Sequence, residues 1–215
     1  FAMMDDAFTG NFAEVDQFFK GLDGHIGLPS PRVKHMMELE HTQSADSKDE
    51  FTTSNYGGTV TWPALEWEFV MNPNMSTDYP GIIRQPQPLD DFINHDIAIE
   101  AGLEDTEVIA LRLFTGPMFM KYNAKLRNFP PEGVDALKGN GYVTTIHAVV
   151  SAVIKLSRIW KLPHDRKVFR GLGGMVLPEK FWKEDQFGCR GGVEFALMST
   201  TIKRDVAIQY SGAEK

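Results

Sequence analysis

Three short stretches carry residue types suited to holding an anionic nucleotide. Lys167-Val168-Phe169-Arg170-Gly171 reads as a short strand that ends in an arginine and a glycine. The guanidinium offers a planar fork of donors matched to phosphate oxygens, and Gly171 has no side chain to keep a flat ring off its backbone. Val193 to Met198 reads as a second strand, followed at once by Ser199-Thr200-Thr201, whose hydroxyls can orient a sugar hydroxyl or a carboxylate. Asn123 and Arg127 are four residues apart, so on a helix they share one face. Each feature also has an ordinary reading. Arg170 suits a surface charge or an ion pair, Thr201 suits a helix cap, and Asn123 with Arg127 suits a helix-surface hydrogen bond or ion pair.

In this order the stretches resemble the Arg-Ser-Glu group of mono-ADP-ribosyltransferases, the NAD(P)-arginine ADP-ribosyltransferases. Leu113-Phe114-Thr115-Gly116, Asn123 and Leu126-Arg127 resemble that family's "Tyr-Thr … Asn-x-x-Leu-Arg" segment, with Phe114 in place of the tyrosine. The resemblance covers about residues 104–212. It implies that Arg170 holds a phosphate or ribose of NAD and that the Gly171 backbone hydrogen-bonds the nicotinamide amide. Ser199 would organise the site around the nicotinamide ribose, with Thr200 and Thr201 supporting it and Asn123 and Arg127 helping to hold the dinucleotide. Arg170 and Ser199 are thereby the candidate catalytic residues. NAD is implied as substrate, a protein, with arginine as its modified side chain, as acceptor, and no metal. The family's Glu-x-Glu element would fall beyond Lys215, so the sequence is expected to be a fragment, inactive by itself. Glu194 and Glu214 are in the wrong places to replace that element. The alternative is a non-catalytic NAD-binding or protein-interaction module.

The elements that must position these residues are predicted as helices followed by strands. That order argues for an α+β fold rather than an alternating doubly wound sheet. The resemblance implies the first strands of a split β-sheet, incomplete at the C-terminus, after a mostly helical or irregular N-terminal region. Phe8, Phe12, Val15, Phe18 and Phe19 recur at helical spacing, and Val33 to Leu39 suits another helix. The polar stretch His41 to Asn55 is predicted as a loop. Glu66-Trp67-Glu68-Phe69-Val70 alternates, which suits a half-buried strand or an amphipathic packing loop. Residues 72–92, with four prolines, are predicted as a linker or arm. Val108, Ile109, Leu111 and Phe114 mark a helix ending near Gly116, Pro117 opens a second, and Gly139-Asn140-Gly141 makes a turn. Ile146, Val149, Val150, Val153, Ile154 and Trp160 mark the most regular helix, stopped by Pro163. A helix over Lys203 to Tyr210 follows Thr201.

Charge divides the chain. Residues 1–100 hold 17 acids against 5 bases and residues 101–215 hold 12 against 17. An acidic N-terminal region of unknown function is therefore set against a mildly basic C-terminal part, 101–215, expected to be a partial NAD-binding domain. That basic surplus suits a dinucleotide, while the lack of a Lys/Arg-rich run argues against nucleic acid as a partner. No apolar run approaches the ~20 residues of a membrane span, so no membrane partner is expected. The single cysteine, Cys189, excludes an internal disulfide and favours a reducing compartment such as the cytoplasm; no signal peptide is visible, although the sequence starts at Phe1 rather than Met. Cys189 lies in a turn-like stretch with no evident histidine base. Gly171-Leu172-Gly173-Gly174 is not a dinucleotide fingerprint, since Val176 stands where a glycine is needed. The six histidines show no metal-ligand spacing.

Overall fold

Val33, Met37 and His41 are spaced by four, and together they form the buried stripe of a helix, α1 (Ser30–Thr42). The computed structural model describes residues 30–53, 59–75, 85–162, 165–174 and 176–211; the predicted helical stretch with Phe8 to Phe19 lies outside these residues. Strands β1 (Phe51–Thr53) and β2 (Thr59–Thr61) form an antiparallel pair with Phe51 opposite Thr61. Then come α2 (Pro63–Met71), α3 (Leu89–Ile93), α4 (Asp96–Ala101), α5 (Asp105–Thr115), α6 (Phe119–Arg127), α7 (Pro131–Asp135) and α8 (Val143–Ile159). Two short helices follow, α9 (Glu179–Trp182) and α10 (Arg204–Gln209). The described residues are thus mixed helical with a small two-stranded antiparallel sheet, roughly α+β.

Helices α5 and α8 pack along each other at the centre, and α1, α2 and α4 pack around them. Ile109, Leu113, Ile146 and Val149 are fully buried there, in one cluster with Met37 and Val70 from the N-terminal side of residue 100. Only the first half of the α8 apolar stripe is covered. Val153, Ile154 and Trp160 are exposed, and Trp160 lies just past the helix end.

Several expectations are corrected. Residues 66–70 are helical, not a strand or packing loop, because Glu66 is not a solvent-facing residue: it is buried and accepts a hydrogen bond from Thr61 Oγ1 at 2.7 Å. Leu65, Trp67, Phe69 and Val70 are buried as well, so α2 shows neither a clean 3.6-residue nor a two-residue period. The predicted loop from His41 gives its first two residues to α1 and its residues 51–53 to β1. The predicted arm over 72–92 is interrupted by the start of α3 at Leu89. Neither 167–171 nor 193–198 forms a strand among the described residues. Phe169 makes one antiparallel bridge, and its partner is Thr201, beyond the second stretch, with N–H···O distances of 2.7 and 2.9 Å.

The polar stretch after α1 turns inward. Asp46 is fully buried, and its carboxylate accepts from four groups: Ser44 Oγ (2.9 Å), Asn140 Nδ2 (2.9 Å), Lys121 Nζ (2.9 Å) and Tyr142 OH (2.8 Å). Burial alone would raise its pKa, but these donors and the Lys121 charge hold it below the usual carboxylate value. Glu40 caps α8 from another element, accepting the Thr144 N–H at 2.7 Å and the Thr145 N–H at 3.0 Å. Two otherwise unpaired donors of the helix N-terminus are satisfied in this way, with a carboxylate at the positive end of the dipole. His41 donates from Nδ1 to the Met37 carbonyl at 2.7 Å, so its Nε2 accepts from Tyr122 OH at 2.7 Å. Lys121 and Tyr122 are both on α6, which is therefore fastened to α1 and the turn after it.

Candidate functional site

The residues of α6 that follow Tyr122 face the other way. Asn123 clasps the backbone of Leu197 at both ends: its Nδ2 donates to the Leu197 carbonyl at 3.2 Å, and its Oδ1 accepts the Leu197 N–H at 3.1 Å. Arg127, one turn on, takes the Glu194 carboxylate bidentately, Nε at 3.0 Å and Nη2 at 2.9 Å. Asn123 and Arg127 thus share a face, as their spacing predicts, and that face holds segment 194–197. Asn128 ends the helix in the left-handed conformation, at φ 51°.

Opposite stands the segment 169–174. The Arg170 Nη1 donates to the Ser199 carbonyl at 3.1 Å, which joins the two stretches beside the Phe169–Thr201 bridge. Gly173 and Gly174 have φ of 59° and 83°, the left-handed region that glycine permits. Their N–H groups donate to the carbonyls of Tyr210 and Ser211 at 3.0 and 2.7 Å, closing a turn against the end of α10. Gly171 serves packing there. A Cβ added to it would lie 2.5 Å from the Tyr210 carbonyl carbon and 2.6 Å from the Ala207 oxygen. Both are backbone atoms of the α10 end, which cannot swing away as a flexible side chain can. Gly171→Ala is expected to cost about 1–3 kcal/mol through overpacking, measured as a lowered urea midpoint at constant slope. An unchanged midpoint would show that α10 shifts freely.

Between these walls lies a cavity of about 450 Å³, within the size range of small-ligand sites. Asn123, Arg127, Arg170, Gly171, Ser199, Thr200 and Thr201 all line it, together with Phe114, Thr115 and Tyr210. All seven site candidates, taken from three separated stretches of sequence, meet in this one space. The ordinary roles are present as well. Thr201 Oγ1 accepts the Lys203 N–H at 3.1 Å, a local turn just ahead of α10; the N-cap itself is Lys203, so Thr201 is not the helix cap its sequence position suggests.

The electrostatics of the cavity wall follow from two guanidiniums and one carboxylate. Arg170 is half-buried, and burial together with the neighbouring Arg127 charge lowers its pKa from the ordinary value, while Glu194 opposes that shift. Burial pushes Glu194 up, but the Arg127 hydrogen bonds, the Ala196 N–H and the charges of Arg127 and Arg170 prevail and hold it below its ordinary value. Glu194 is the residue whose role the sequence left unassigned. Its signal, an acid between Val193 and Phe195, has no local partner to mark it.

No group of three or more His, Cys, Asp or Glu side chains suited to a metal ion occurs among the described residues. Cys189 is exposed, in a turn where Asp185 Oδ1 accepts its N–H at 2.9 Å. Among the described residues no helix is long and apolar enough to cross a membrane. Comparison with protein-family models, with curated proteins and with solved structures finds no match.

Proposed function

We propose that the cavity between α6 and α10 binds NAD for transfer of ADP-ribose to a protein acceptor, an arginine side chain, with release of nicotinamide, a reaction that needs a carboxylate in addition to the residues lining the cavity. The carrying observation is the meeting of Arg170, Gly171 and the 199–201 hydroxyl run with Asn123 and Arg127 around one space. In this reading Arg170 holds a phosphate of the dinucleotide. The Gly171 backbone meets the nicotinamide amide, and Ser199 orders the nicotinamide ribose, with Thr200 and Thr201 behind it.

The chemistry is a substitution at the ribose C1′. The bond to the nicotinamide nitrogen breaks, its electron pair leaves with neutral nicotinamide, and positive charge develops on the ribose as in glycoside cleavage. A guanidine nitrogen of the acceptor attacks C1′ and gives up a proton. A carboxylate must offset the developing charge. Glu194 is occupied by Arg127 and is not assigned that task, which the resemblance gives to a Glu-x-Glu element. The alternative, a non-catalytic NAD-binding or interaction module, is favoured by one observation: Asn123 and the Nε–Nη2 edge of Arg127 are already engaged inside the protein.

Calorimetric titration of this chain with NAD tests the reading. Binding without release of nicotinamide is expected. Arg170→Ala is expected to weaken it about tenfold or more, the loss of a charge-assisted hydrogen bond to phosphate. Absence of any nucleotide binding would remove the transferase and NAD-binding readings and leave the protein-interaction module, and release of nicotinamide by this chain would overturn the assigned need for a further carboxylate.

A further inference from the structure

We propose that Glu194 is a built-in competitor for the anion-binding guanidiniums of the cavity: an anion that takes the Nε–Nη2 edge of Arg127 must displace the Glu194 carboxylate, and Glu194 thereby sets the affinity of the site for a pyrophosphate group. The inference rests on the reading of the cavity as a dinucleotide site and adds its regulation.

The Glu194 carboxylate presents two oxygens to the Arg127 fork at 3.0 and 2.9 Å, the arrangement in which a guanidinium also receives a phosphate. Arg127 itself lines the cavity beside Arg170. Both partners of the ion pair are partly open to solvent, with side-chain exposures of 27% and 29%. Both groups keep a solvent-facing side through which another anion can approach and exchange with the carboxylate. A dianionic or trianionic group between two guanidiniums gains more than one carboxylate does. The exchange also has a defined mechanical range. Glu194 Oε1 accepts the Ala196 N–H at 3.0 Å, and that bond is released with the carboxylate. Asn123 still holds Leu197 at both its N–H and its carbonyl. Displacement is therefore confined to residues 194–196, and the cavity wall at Leu197 stays in place.

The test titrates this chain and its Glu194→Gln variant with inorganic pyrophosphate, ADP-ribose and NAD. Glu194→Gln is expected to bind pyrophosphate and ADP-ribose about fivefold tighter, which corresponds to losing a partly exposed competing ion pair. Adding Arg127→Ala to the variant is expected to abolish the gain. A second readout needs no variant: hydrogen exchange at the Ala196 amide is expected to speed up when pyrophosphate is added to the unaltered protein, while the Leu197 amide stays protected. Equal or weaker pyrophosphate binding by a folded Glu194→Gln protein, or an Ala196 amide indifferent to pyrophosphate, overturns the proposal. The two readings fail separately. Tighter pyrophosphate binding with no NAD binding in either protein keeps the competitor and discards the NAD site. NAD binding of equal strength in both proteins keeps the site and discards the competitor.

Discussion

Asp46→Ala is expected to cost about 3–5 kcal/mol of folding stability, the range for removing one partner of a buried ion pair. Asp46 is fully buried and Lys121 only 6% exposed. Without the carboxylate, the Lys121 ammonium keeps the Ala136 carbonyl at 3.2 Å as its remaining hydrogen-bond acceptor. Tyr142 OH loses its acceptor at the same time, while Asn140 Nδ2 and Ser44 Oγ keep the Glu40 carbonyl at 2.8 Å each. Against a net stability of about 5–15 kcal/mol for a typical domain, this one substitution leaves the protein marginal. Urea denaturation reads the loss. The double variant Asp46→Leu with Lys121→Met is expected to be more stable than Asp46→Ala, because it removes the stranded charge along with its partner. A loss below about 1 kcal/mol for Asp46→Ala would mean that Lys121 finds water when its partner goes, contrary to the burial argument.

The second large effect is a dependence on pH carried by His41. Burial pushes its pKa down from 6.5 to about 4, with the Met37 carbonyl and the Asp46 charge opposing. At pH above 6.5 the ring is neutral whether the chain is folded or not. As pH falls, the unfolded chain takes a proton that the folded protein refuses until about pH 4. Stability is therefore full above pH 6.5 and is lost between 6.5 and 4, with a slope approaching 1.4 kcal/mol per pH unit and a total of about 3 kcal/mol. The geometry gives the reason: Nε2 accepts from Tyr122 OH, and a protonated ring would turn that acceptor into a second donor. Glu40 works in the opposite sense. Its burial, only partly offset by the Thr144 and Thr145 hydrogen bonds, raises its pKa, so the folded protein takes up that proton first as the pH falls. Asp46 and Glu194, both held below their ordinary values, lose stability only at more acid pH. Urea midpoints from pH 7.5 to 5.5 are expected to fall in the unaltered protein and to stay flatter in His41→Gln. Parallel slopes would exclude His41 as the source.

Residues 105–115 and 143–159 were readable as helices because half their surface is core and the period survives. Helix α2 was hidden because Leu65, Glu66, Trp67, Phe69 and Val70 are all inside, which erases any period. The polar run from His41 to Asp49 looked like solvent-facing loop for a related reason. The partners that make His41 and Asp46 interior residues lie 75 to 96 positions away, and a local pattern cannot show them. Strand expectations at 167–171 and 193–198 rested on local apolar runs, whereas a strand exists only through pairing, and here Phe169 makes one bridge to Thr201 and residues 193–198 make none. The candidate site was more legible than its scaffold: Arg170, Gly171 and Ser199 to Thr201 could be chosen by residue chemistry and order. Glu194 could not, since its partner Arg127 is 67 residues away.

The capping of α8 by Glu40 sets a timetable for the chain as it is made. Glu40 reaches Thr144 across 104 residues, and Asp46 reaches Tyr142 across 96. At about 5–20 residues per second, the ribosome takes roughly 5–20 s to deliver those partners after the two acids emerge. For that interval both carboxylates remain hydrated, and α1, a 13-residue helix at the margin of independent stability, cannot settle into its final seat. Synthesis runs from α1 to α8, but closure of this core waits for α8.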